Sequence, residues 1–337
     1  ADKPFQFLAF CKEWEGFCLD PKNFKSSLPV SADGSCNGLQ HFAAMLRSET
    51  TGKEVNLIPM EEPQDIYQKV ADTVTNKLKT IETDLATKWL EYGVSRSCCK
   101  RPCMVLPYGG KQYSFTDFVV NYIIEQRDKG KEHPFGDDVF KASTFLAKLI
   151  WHSISEVVHA ATDAMAWLQK SARVACSAGL PIRWDTPCNF PVLQAYQEVR
   201  SNQVETKLLG KVFKPRVYSN TGKLDRNRQA NGISPNFVHS IDASHLMITL
   251  DVAQQLDIYA FAMVHDSYGT HAADAEAMWG ALRTAFVEMY KQMDVLEEFR
   301  DYLLEVLPKE RHKEIDPIPK KGNLKIDDVL NSSFFFA

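Results

Sequence analysis

Two aspartates that lie far apart in the chain share one local pattern, which constrains the fold more than any other feature. Asp33 closes a short apolar run and precedes Gly34, and Asp266 closes a second apolar run and precedes a turn that contains Gly269. Apolar runs of this length are typical of β-strands, and a glycine after such a run indicates a tight turn. A fold that brings the two strand ends together would place two carboxylates side by side, as in metal-dependent sites.

A central segment carries further candidate reactive groups. Residues 96–109 read Arg-Ser-Cys-Cys-Lys-Arg-Pro-Cys-Met-Val-Leu-Pro-Tyr-Gly. On a helix, Arg96, Lys100 and Tyr108 lie on one side of the axis. We place Pro102 in the first helical turn and treat Pro107 as a kink that presents the tyrosine. Most lysine–tyrosine pairs are ordinary surface residues, so only their combination with the two aspartates is specific. Carboxylate, lysine with tyrosine, and carboxylate is the order of parts in nucleotide polymerases.

The composition is that of a globular protein with a substantial core. The chain has 337 residues, of which 45% are hydrophobic and 24% are charged, enough for two or three subdomains. The net charge of −4 does not exclude a nucleic-acid-binding protein, because a local positive groove is sufficient. The eight cysteines lack paired Cys-x-x-Cys spacing, so we expect reduced thiols in a cytosol-like compartment and no zinc site. We find no signal peptide and no apolar run that could span a bilayer, so no membrane partner is expected.

Hydrophobic periodicity predicts many helices and a few short strands. Strands are expected at residues 27–32, with Pro29 at a sheet edge or a bulge, and at residues 258–264, where the run is expected to be buried. The phenylalanines at 334–336 would be exposed if the terminus frayed, so we expect this end to be docked. The expected helices cover residues 4–18, 38–47, a segment burying Ile66, Val70, Val74 and Leu78, one long segment at 140–176, and most of residues 274–317.

Residues 200–228 are strongly basic. Eight lysines and arginines stand against only Glu205 and Asp225, and aromatic residues are interleaved. The Ser-Asn-Thr-Gly sequence at 219–222 predicts a hairpin turn. A projecting basic hairpin is typical of a nucleic-acid contact, although such a run can also be a solvated surface loop. The candidate DNA-binding residues are Lys207, Lys211, Lys214, Arg216, Lys223, Arg226 and Arg228.

The two aspartates suit a site for two magnesium ions. Phosphoryl transfer to a growing strand needs an activated hydroxyl and a stabilised pyrophosphate, and two Mg²⁺ ions about 3.5–4 Å apart supply both. Magnesium needs few carboxylates beside water and substrate phosphates, so Asp33, Asp266 and the carbonyl of Gly34 are sufficient candidate ligands. Lys100 would neutralise charge on a triphosphate, with Arg96 one helical turn away.

Four motifs, in chain order, carry a family resemblance. They are Asp-Gly-Ser-Cys-Asn-Gly-Leu-Gln-His-Phe at 33–42, Lys-x7-Tyr-Gly at 100–109, Gly-Ile-Ser-Pro-Asn-Phe-Val-His-Ser-Ile-Asp-Ala-Ser-His-Leu at 232–246 and Val-His-Asp-Ser-Tyr-Gly-Thr at 264–270. Together they closely resemble the single-subunit bacteriophage RNA polymerases, with the mitochondrial enzymes as more distant relatives. The resemblance implies an α+β, mostly helical right-hand polymerase with a palm that holds a small antiparallel sheet, and with helical fingers.

The resemblance also implies roles for individual residues. Asp33 and Asp266 would bind the two catalytic magnesium ions, and Arg96 and Lys100 would contact the triphosphate. Tyr108 would stack near the incoming base and ribose. A further substrate contact would come from His239, which is similar to the family histidine that helps to read the ribose 2′-hydroxyl. The basic segment at 196–228 would be the promoter specificity hairpin, which reads base edges in the DNA major groove.

The same resemblance implies a domain order and partners. The expected order is a palm-associated entry segment at 1–23, palm with the first metal motif at 24–50, fingers including the hairpin at 51–240, and palm with the second metal motif and docked tail at 241–337. Family members are longer, with an N-terminal domain and a thumb ahead of the matching region. We therefore expect a complementary N-terminal polypeptide, besides DNA template and promoter, nascent RNA and ribonucleoside triphosphates. A virus-encoded enzyme of this family would work in the cytoplasm of a bacterial host.

Two other functions stay open. Related DNA polymerases have a glutamate five residues after the first aspartate, where it blocks the 2′-hydroxyl, whereas Gly38 leaves space here. They also have His-Asp-Glu where this chain has His-Asp-Ser, so a family A DNA polymerase is the alternative enzyme. The third hypothesis is a subunit that binds DNA or a partner and has no catalytic activity in isolation. Clustered carboxylates cost stability without metal, so the presence of both Asp33 and Asp266 favours catalysis.

Overall fold

The structure is a computed structural model that describes residues 2–336, so that Ala1 and Ala337 lie outside the described residues. Within this part the chain is mostly helical and carries small antiparallel sheets, which confirms the predicted α+β class. The α-helices are α1 (Pro4–Leu19), α2 (Asn37–Met45), α3 (Glu49–Glu54), α4 (Ile66–Lys79), α5 (Asp84–Tyr92), α6 (Arg96–Val105), α7 (Gln112–Asp128), α8 (Val139–Val157), α9 (His159–Ser177), α10 (Arg226–Gln255), α11 (Ala275–Gln292) and α12 (Val295–Val306).

One hydrophobic core joins most of these helices. The long helix α10 packs between α9 and α11, and α2 packs against α9 and α10. Helix α4 buries Ile66, Val70, Val74 and Leu78, as their fourfold spacing predicts. Because α4 packs on α6, this apolar face braces the helix that carries Lys100.

The long amphipathic segment predicted at 140–176 consists of two helices. Helix α8 ends at Val157 and α9 begins at His159. Val158 between them has φ −119° and ψ 46°, outside the helical region. Residues on both sides of the break are buried in the same core. The apolar periodicity therefore continues through the break, because it reports burial and not the continuity of the backbone.

The strands form small antiparallel sheets. They are β1 (Pro29–Asp33), β2 (Ile182–Asp185), β3 (Pro191–Gln194), β4 (Gln197–Gln203), β5 (Thr206–Leu208), β6 (Lys211–Phe213), β7 (Arg216–Leu224), β8 (Ala262–Val264) and β9 (Ser267–His271). In the largest sheet the order is β1-β9-β8, so β1 is an edge strand and the predicted edge position of Pro29 is confirmed. The prediction of a buried strand at 258–264 is wrong in part. Only Ala262–Val264 is strand, and Val264 is 66% exposed because β8 is the other edge.

A long two-stranded ribbon projects from the chain between residues 197 and 224. Strand β4 pairs with β7 and β5 pairs with β6, and the amide of Val204 donates to the carbonyl of Pro215 at 3.0 Å between the two pairs. We call these residues the basic hairpin. The turn predicted at 219–222 is wrong: the residues lie inside β7, at a register shift opposite Gln197 and Val199. The turn is at Leu209 and Gly210, whose φ angles of 52° and 75° are both left-handed, as a two-residue hairpin requires.

Two predictions concern membrane-spanning helices and the redox state of the cysteines. Over residues 2–336, no helix is both long and apolar enough to cross a membrane. All eight cysteines are free thiols, in agreement with the expected reduced state. Burial raises the pKa of the Cys103 thiol well above its ordinary value, so this thiol stays protonated at neutral pH.

Candidate active site

The small sheet brings the two predicted metal ligands together. Strands β1 and β9 are antiparallel neighbours, with Asp33 opposite Ser267. The amide of Gly34 donates to the carbonyl oxygen of Asp266 at 3.3 Å. Asp266 lies in the tight turn between β8 and β9, and His265 before it has a left-handed φ of 54°. The expectation that this turn contains Gly269 is wrong, because Gly269 lies inside β9, opposite Ser31. The turn therefore holds the second aspartate directly beside the end of the strand that carries the first.

The electrostatics of this pair suit a cation. Burial raises the pKa of the Asp266 carboxyl, and the charges of Asp33 and Asp242 raise it further. A cation between the carboxylates would relieve this repulsion. The donors are hard oxygens, which fit magnesium. The carbonyl of Gly34 already accepts from the amide of Cys36 at 2.8 Å, so only its second lone pair could face a metal.

No cluster of three or more histidine, cysteine, aspartate or glutamate side chains that could hold a metal occurs within residues 2–336. Two aspartates completed by water and substrate oxygens are still a fitting set for magnesium, which usually keeps several non-protein ligands. Which residues bind metal stays a prediction.

The C-terminal tail closes under this sheet. Gly34 forms a β-bridge with Phe336, and the side-chain Nε2 of Gln40 donates to the carbonyl oxygen of Phe335 at 2.8 Å. Phe335 is completely buried and Phe336 is 2% exposed. The predicted docking of the terminus is therefore confirmed, and its position beside Gly34 supports the strand end that carries Asp33.

Helix α6 presents Lys100 to solvent and ties Arg96 to a carboxylate. The Arg96 guanidinium donates to Asp65 and lies 5.1 Å from the centre of the Tyr67 ring. Burial raises the pKa of the Cys36 thiol to about 11, with smaller opposite effects from the charges of Asp266 and Lys100. Helix α6 leads directly into the turn that carries Tyr108, and Tyr108 packs against Gly38 on α2, the helix that follows Asp33.

The predicted position of Pro102 is wrong. Helix α6 begins at Arg96, so Pro102 lies in the interior of the helix and not in its first turn. Cys98 and Cys99 before it are buried, and their packing holds this stretch helical despite the hydrogen bond that proline removes. At Pro107 the structure has a change of helix type in place of the predicted kink. The α-helix gives way there to a 3₁₀ turn, Leu106–Tyr108.

Tyr108, His239 and Gly38 form a slot beside the aspartates. The rings of Tyr108 and His239 stack with centroids 4.3 Å apart and planes 9° apart. A methyl group at Gly38 would lie 3.0 Å from Pro107 Cβ and from the Tyr108 hydroxyl oxygen. Burial raises the pKa of Tyr108 and lowers that of His239, so both rings are mostly uncharged at pH 7. The tertiary fold thus gathers three residues that are far apart in the sequence.

The sequence analysis missed Asp242. It accepts a 2.5 Å hydrogen bond from Asn37 Nδ2, and its Oδ1 lies 3.8 Å from His41 Nε2. Burial alone would raise the pKa of Asp242, but the hydrogen bonds and positive field from His41 and Asn37 lower it. A signal existed, because Asp242 follows His239 by three positions and so shares its helix face.

A second missed pair supports the strand that follows Asp266. The His245 ring is fully buried, and burial lowers its pKa to about 4, so it is neutral at pH 7. Its Nε2 lies 2.8 Å from the carbonyl oxygen of Leu282, so Nε2 carries the proton and donates it. Its Nδ1 therefore accepts from the Tyr268 hydroxyl at 3.1 Å. This fixes β9 two residues beyond Asp266.

The seven candidate DNA-binding residues all have exposed side chains. Five of them lie along the basic hairpin, and Arg226 and Arg228 lie in the first turn of α10. Lys214 forms a 3.2 Å ion pair with Glu205, and the Arg228 guanidinium lies 5.1 Å from the centre of the Tyr196 ring. These exposed positive charges follow one another along the ribbon and the start of α10, and their role in DNA binding stays a prediction.

Comparison with known proteins agrees with the motifs. The chain is 38% identical over 380 residues to the DNA-directed RNA polymerase of Enterobacteria phage T3 and 37% identical over 380 residues to T7 RNA polymerase of Escherichia phage T7. Each match covers 100% of this chain and 43% of the relative, so the chain spans less than half the length of these relatives. The plant enzyme DNA-directed RNA polymerase 2, chloroplastic/mitochondrial, of Arabidopsis thaliana is 32% identical over 346 residues, covering 100% of the chain and 33% of the relative.

The phage relatives are therefore more similar than this organelle enzyme, as the motifs predict. A family model described as DNA-dependent RNA polymerase matches residues 1–314. That match covers most of the chain and includes all four motifs. The chain belongs to the DNA-dependent RNA polymerase family.

Proposed function

We propose that this chain is the catalytic portion of a single-subunit DNA-directed RNA polymerase, which adds ribonucleotides to nascent RNA on a DNA template. The observation that carries the proposal is the meeting of two carboxylates from distant motifs, Asp33 and Asp266, at one end of a small sheet. Lys100 and the Tyr108–His239 slot lie around the same place. This set offers oxygens for a metal, a cation for a triphosphate and a polar aromatic wall for a nucleoside.

The residues divide the chemical work. Two magnesium ions, when bound, would activate the 3′-hydroxyl of the RNA and stabilise the leaving pyrophosphate. Asp33 and Asp266 would hold them, and a bound cation would relieve the burial and like-charge repulsion that raise the pKa of Asp266. Lys100 would neutralise triphosphate charge as a point charge. Arg96 would do the same after releasing Asp65, which engages it in the described conformation.

The choice of ribonucleotides follows from the slot around Tyr108. Gly38 carries no side chain, and in the described conformation the Tyr108 hydroxyl occupies the place beside it, 3.0 Å from where a methyl group would lie. A ribose 2′-hydroxyl would take this place once the Tyr108 ring moves aside. His239 is uncharged at neutral pH and stacks on Tyr108, so its ring nitrogens are available to hydrogen-bond a ribose hydroxyl. A family A DNA polymerase, the alternative enzyme, would need a bulky residue at Gly38.

We propose the right-hand arrangement of the family for this chain. The sheet and its two aspartates belong to a palm built from residues 24–50 and 241–337, with residues 1–23 as the segment that leads into it. Residues 51–240 form the fingers, which carry α6 and the basic hairpin. The exposed charges of that hairpin favour contact with promoter DNA, since phosphates attract them and base edges in the major groove are within reach of a two-stranded ribbon.

A complementary N-terminal polypeptide is the proposed protein partner. Helix α1 buries none of its residues within the described chain, although most of them are apolar. Its exposed rings form a ladder, with Phe10 and Trp14 at 6.3 Å and Trp14 and Phe17 at 5.6 Å between centroids. An uncovered aromatic face of this kind favours contact with further protein. We place the assembled enzyme in the cytoplasm of a bacterial host, where the phage relatives' templates would be.

Primed RNA extension tests the proposal. The chain, alone and with an N-terminal partner region, is given an RNA primer on a DNA template with Mg²⁺ and ribonucleotides. We expect extension by the assembly, and loss of extension but not of DNA binding in Asp33→Asn. Asp251→Asn, an exposed change on α10, is the matched control.

Each other outcome has a clear meaning. Undiminished extension by Asp33→Asn would remove the metal assignment. Preference for deoxyribonucleotides would favour the DNA polymerase. Absence of extension from a folded, associated assembly would favour a subunit that only binds DNA or a partner.

A further inference from the structure

The basic hairpin is held to the rest of the chain at its two ends, which we call its base, and the base sets the direction in which the hairpin projects. Every residue from 198 to 223 is exposed, so the strands themselves have little packing against the rest of the chain. The hairpin begins just after β3 and ends where α10 begins. At this point the amide of Asp225 donates to the carbonyl of Tyr196 at 2.9 Å and closes the ribbon. Contacts that fix this base therefore also fix the direction in which the basic side chains point.

Four polar side chains hold the base against α10, and we call them the clamp: Gln194, Tyr196, Gln229 and Asn236. Gln194 Nε2 donates to the carbonyl oxygen of Gln229 at 2.8 Å and to its Oε1 at 2.9 Å, and Gln229 Nε2 donates back to the carbonyl oxygen of Gln194 at 3.0 Å. Asn236 Nδ2 donates to Gln194 Oε1 at 2.8 Å and to the Tyr196 hydroxyl at 2.9 Å. These bonds join the strand before the hairpin to the helix after it.

The clamp fixes the distance and angle between its two segments more tightly than apolar packing would. Gln194 is 3% exposed and Gln229 is fully buried, and buried amides cost stability unless every bond is made. An apolar pair could fill the same space without that demand, whereas reciprocal amide bonds fix distance and angle. The Tyr196 ring lies so close to the helix that a methyl group at Gly232 would be 2.6 Å from Tyr196 Cε2.

We propose that the clamp fixes the direction of the basic hairpin and thereby determines which DNA sequence the polymerase selects. This inference rests on the proposed function of the hairpin. Contacts to phosphates depend on charge and tolerate small changes of direction, whereas contacts to base edges need hydrogen-bond geometry. Loss of the clamp therefore weakens sequence selection and leaves general DNA affinity and nucleotide addition in place. Its members are positioning residues, since they act through the hairpin.

Two variants remove clamp bonds and keep both buried glutamines. Tyr196→Phe leaves every glutamine bond in place, whereas Asn236→Ala also removes the bond that Gln194 Oε1 accepts. Tyr196→Phe deletes only the hydroxyl that Asn236 reaches and keeps the ring against Gly232. Asn236→Ala deletes both of its bonds at a half-buried position. Asn227→Ala is the matched control, because it changes the same residue type on the same helix where the side chain is exposed. Thermal unfolding of each variant shows whether the body stays folded.

The first measurement is the distance between the hairpin turn and the rest of the chain, made on this chain without DNA or a partner polypeptide. Spin labels attached through non-natural amino acids at Leu209, in the hairpin turn, and at Tyr259, on the body, report a distance distribution. Both positions are exposed, at 95% and 70%. We expect a narrow distribution for wild type and Asn227→Ala and a broad one for both clamp variants. An unchanged distribution would overturn the proposal.

The second measurement is selection by the assembled polymerase from randomised duplex DNA. We expect both clamp variants to lose about tenfold of the wild-type preference for its selected sequence, the size of one good base contact. The average affinity of both clamp variants for the randomised duplex DNA and their primed RNA extension should match those of wild type. Retained preference would overturn the proposal. A wild type without preference would overturn it together with the promoter role of the hairpin, while primed extension would still support nucleotide addition.

Discussion

Replacing Phe336 with alanine should reveal how strongly the C-terminal tail supports the catalytic sheet. The ring is 2% exposed and lies 5.2 Å from Tyr268, 4.7 Å from Phe335 and 6.0 Å from His245 between centroids. Truncation of a buried phenylalanine costs about 3–5 kcal/mol, because transfer energy is lost and a cavity remains. The unfolding entropy of a 337-residue chain is about 0.7 kcal/mol/K, so the Tm should fall by about 4–7 °C.

Calorimetry of the chain with and without Mg²⁺ provides the assay for Phe336→Ala. The matched control is Phe5→Ala, because Phe5 is 86% exposed and its loss should leave Tm within about 1 °C. The increase in Tm on adding Mg²⁺ should also shrink for Phe336→Ala, since the bridge from Phe336 to Gly34 steadies the strand end beside Asp33. Equal Tm values for the two variants would refute the reasoning that the tail is part of the core.

Two further results should follow from the charges. In EDTA at pH 7, Asp266→Asn should raise Tm, because burial and the charge of Asp33 penalise the ionised Asp266. In the folded state the pKa of Asp266 is raised. Its contribution to the free energy of unfolding is therefore fully present at low pH, where the carboxyl is neutral, and is lost as the pH rises through the folded-state pKa. The advantage of the variant should therefore vanish at low pH, and a constant difference in Tm across a pH series would contradict this account. Lys211→Ala should lower the salt dependence of DNA binding by about 0.9 in log–log slope, as titrations at several salt concentrations would show, whereas Lys309→Ala should change nothing.

The motifs predicted the chemical groups better than the backbone around them. Local patterns of strand end and helix mark the two aspartates and Tyr108, and the family resemblance marks Gly38. The tetrapeptide at 219–222 predicts a hairpin turn because it contains an asparagine and ends in Gly222, yet Gly222 lies at a register shift inside β7. Gly210 is also a turn residue by type. Only the pairing of the two strands decides which glycine forms the turn.

Interactions between distant side chains could not be predicted from either partner alone. Asn37 and Asp242 are 205 positions apart and meet because α2 packs on α10. Gln194 and Gln229 are ordinary polar residues in the sequence, and burial alone makes their reciprocal bonds decisive.

The sequence by itself determined the kinds of chemical group, the family and the mostly helical class, since these depend on residue types and on local periodicity. The tertiary structure decided that Asp33 and Asp266 share one sheet end, that the tail closes beneath it and that buried amides aim the basic hairpin. The physical reason is that desolvation and hydrogen-bond geometry act on whatever the fold brings together, irrespective of separation along the chain.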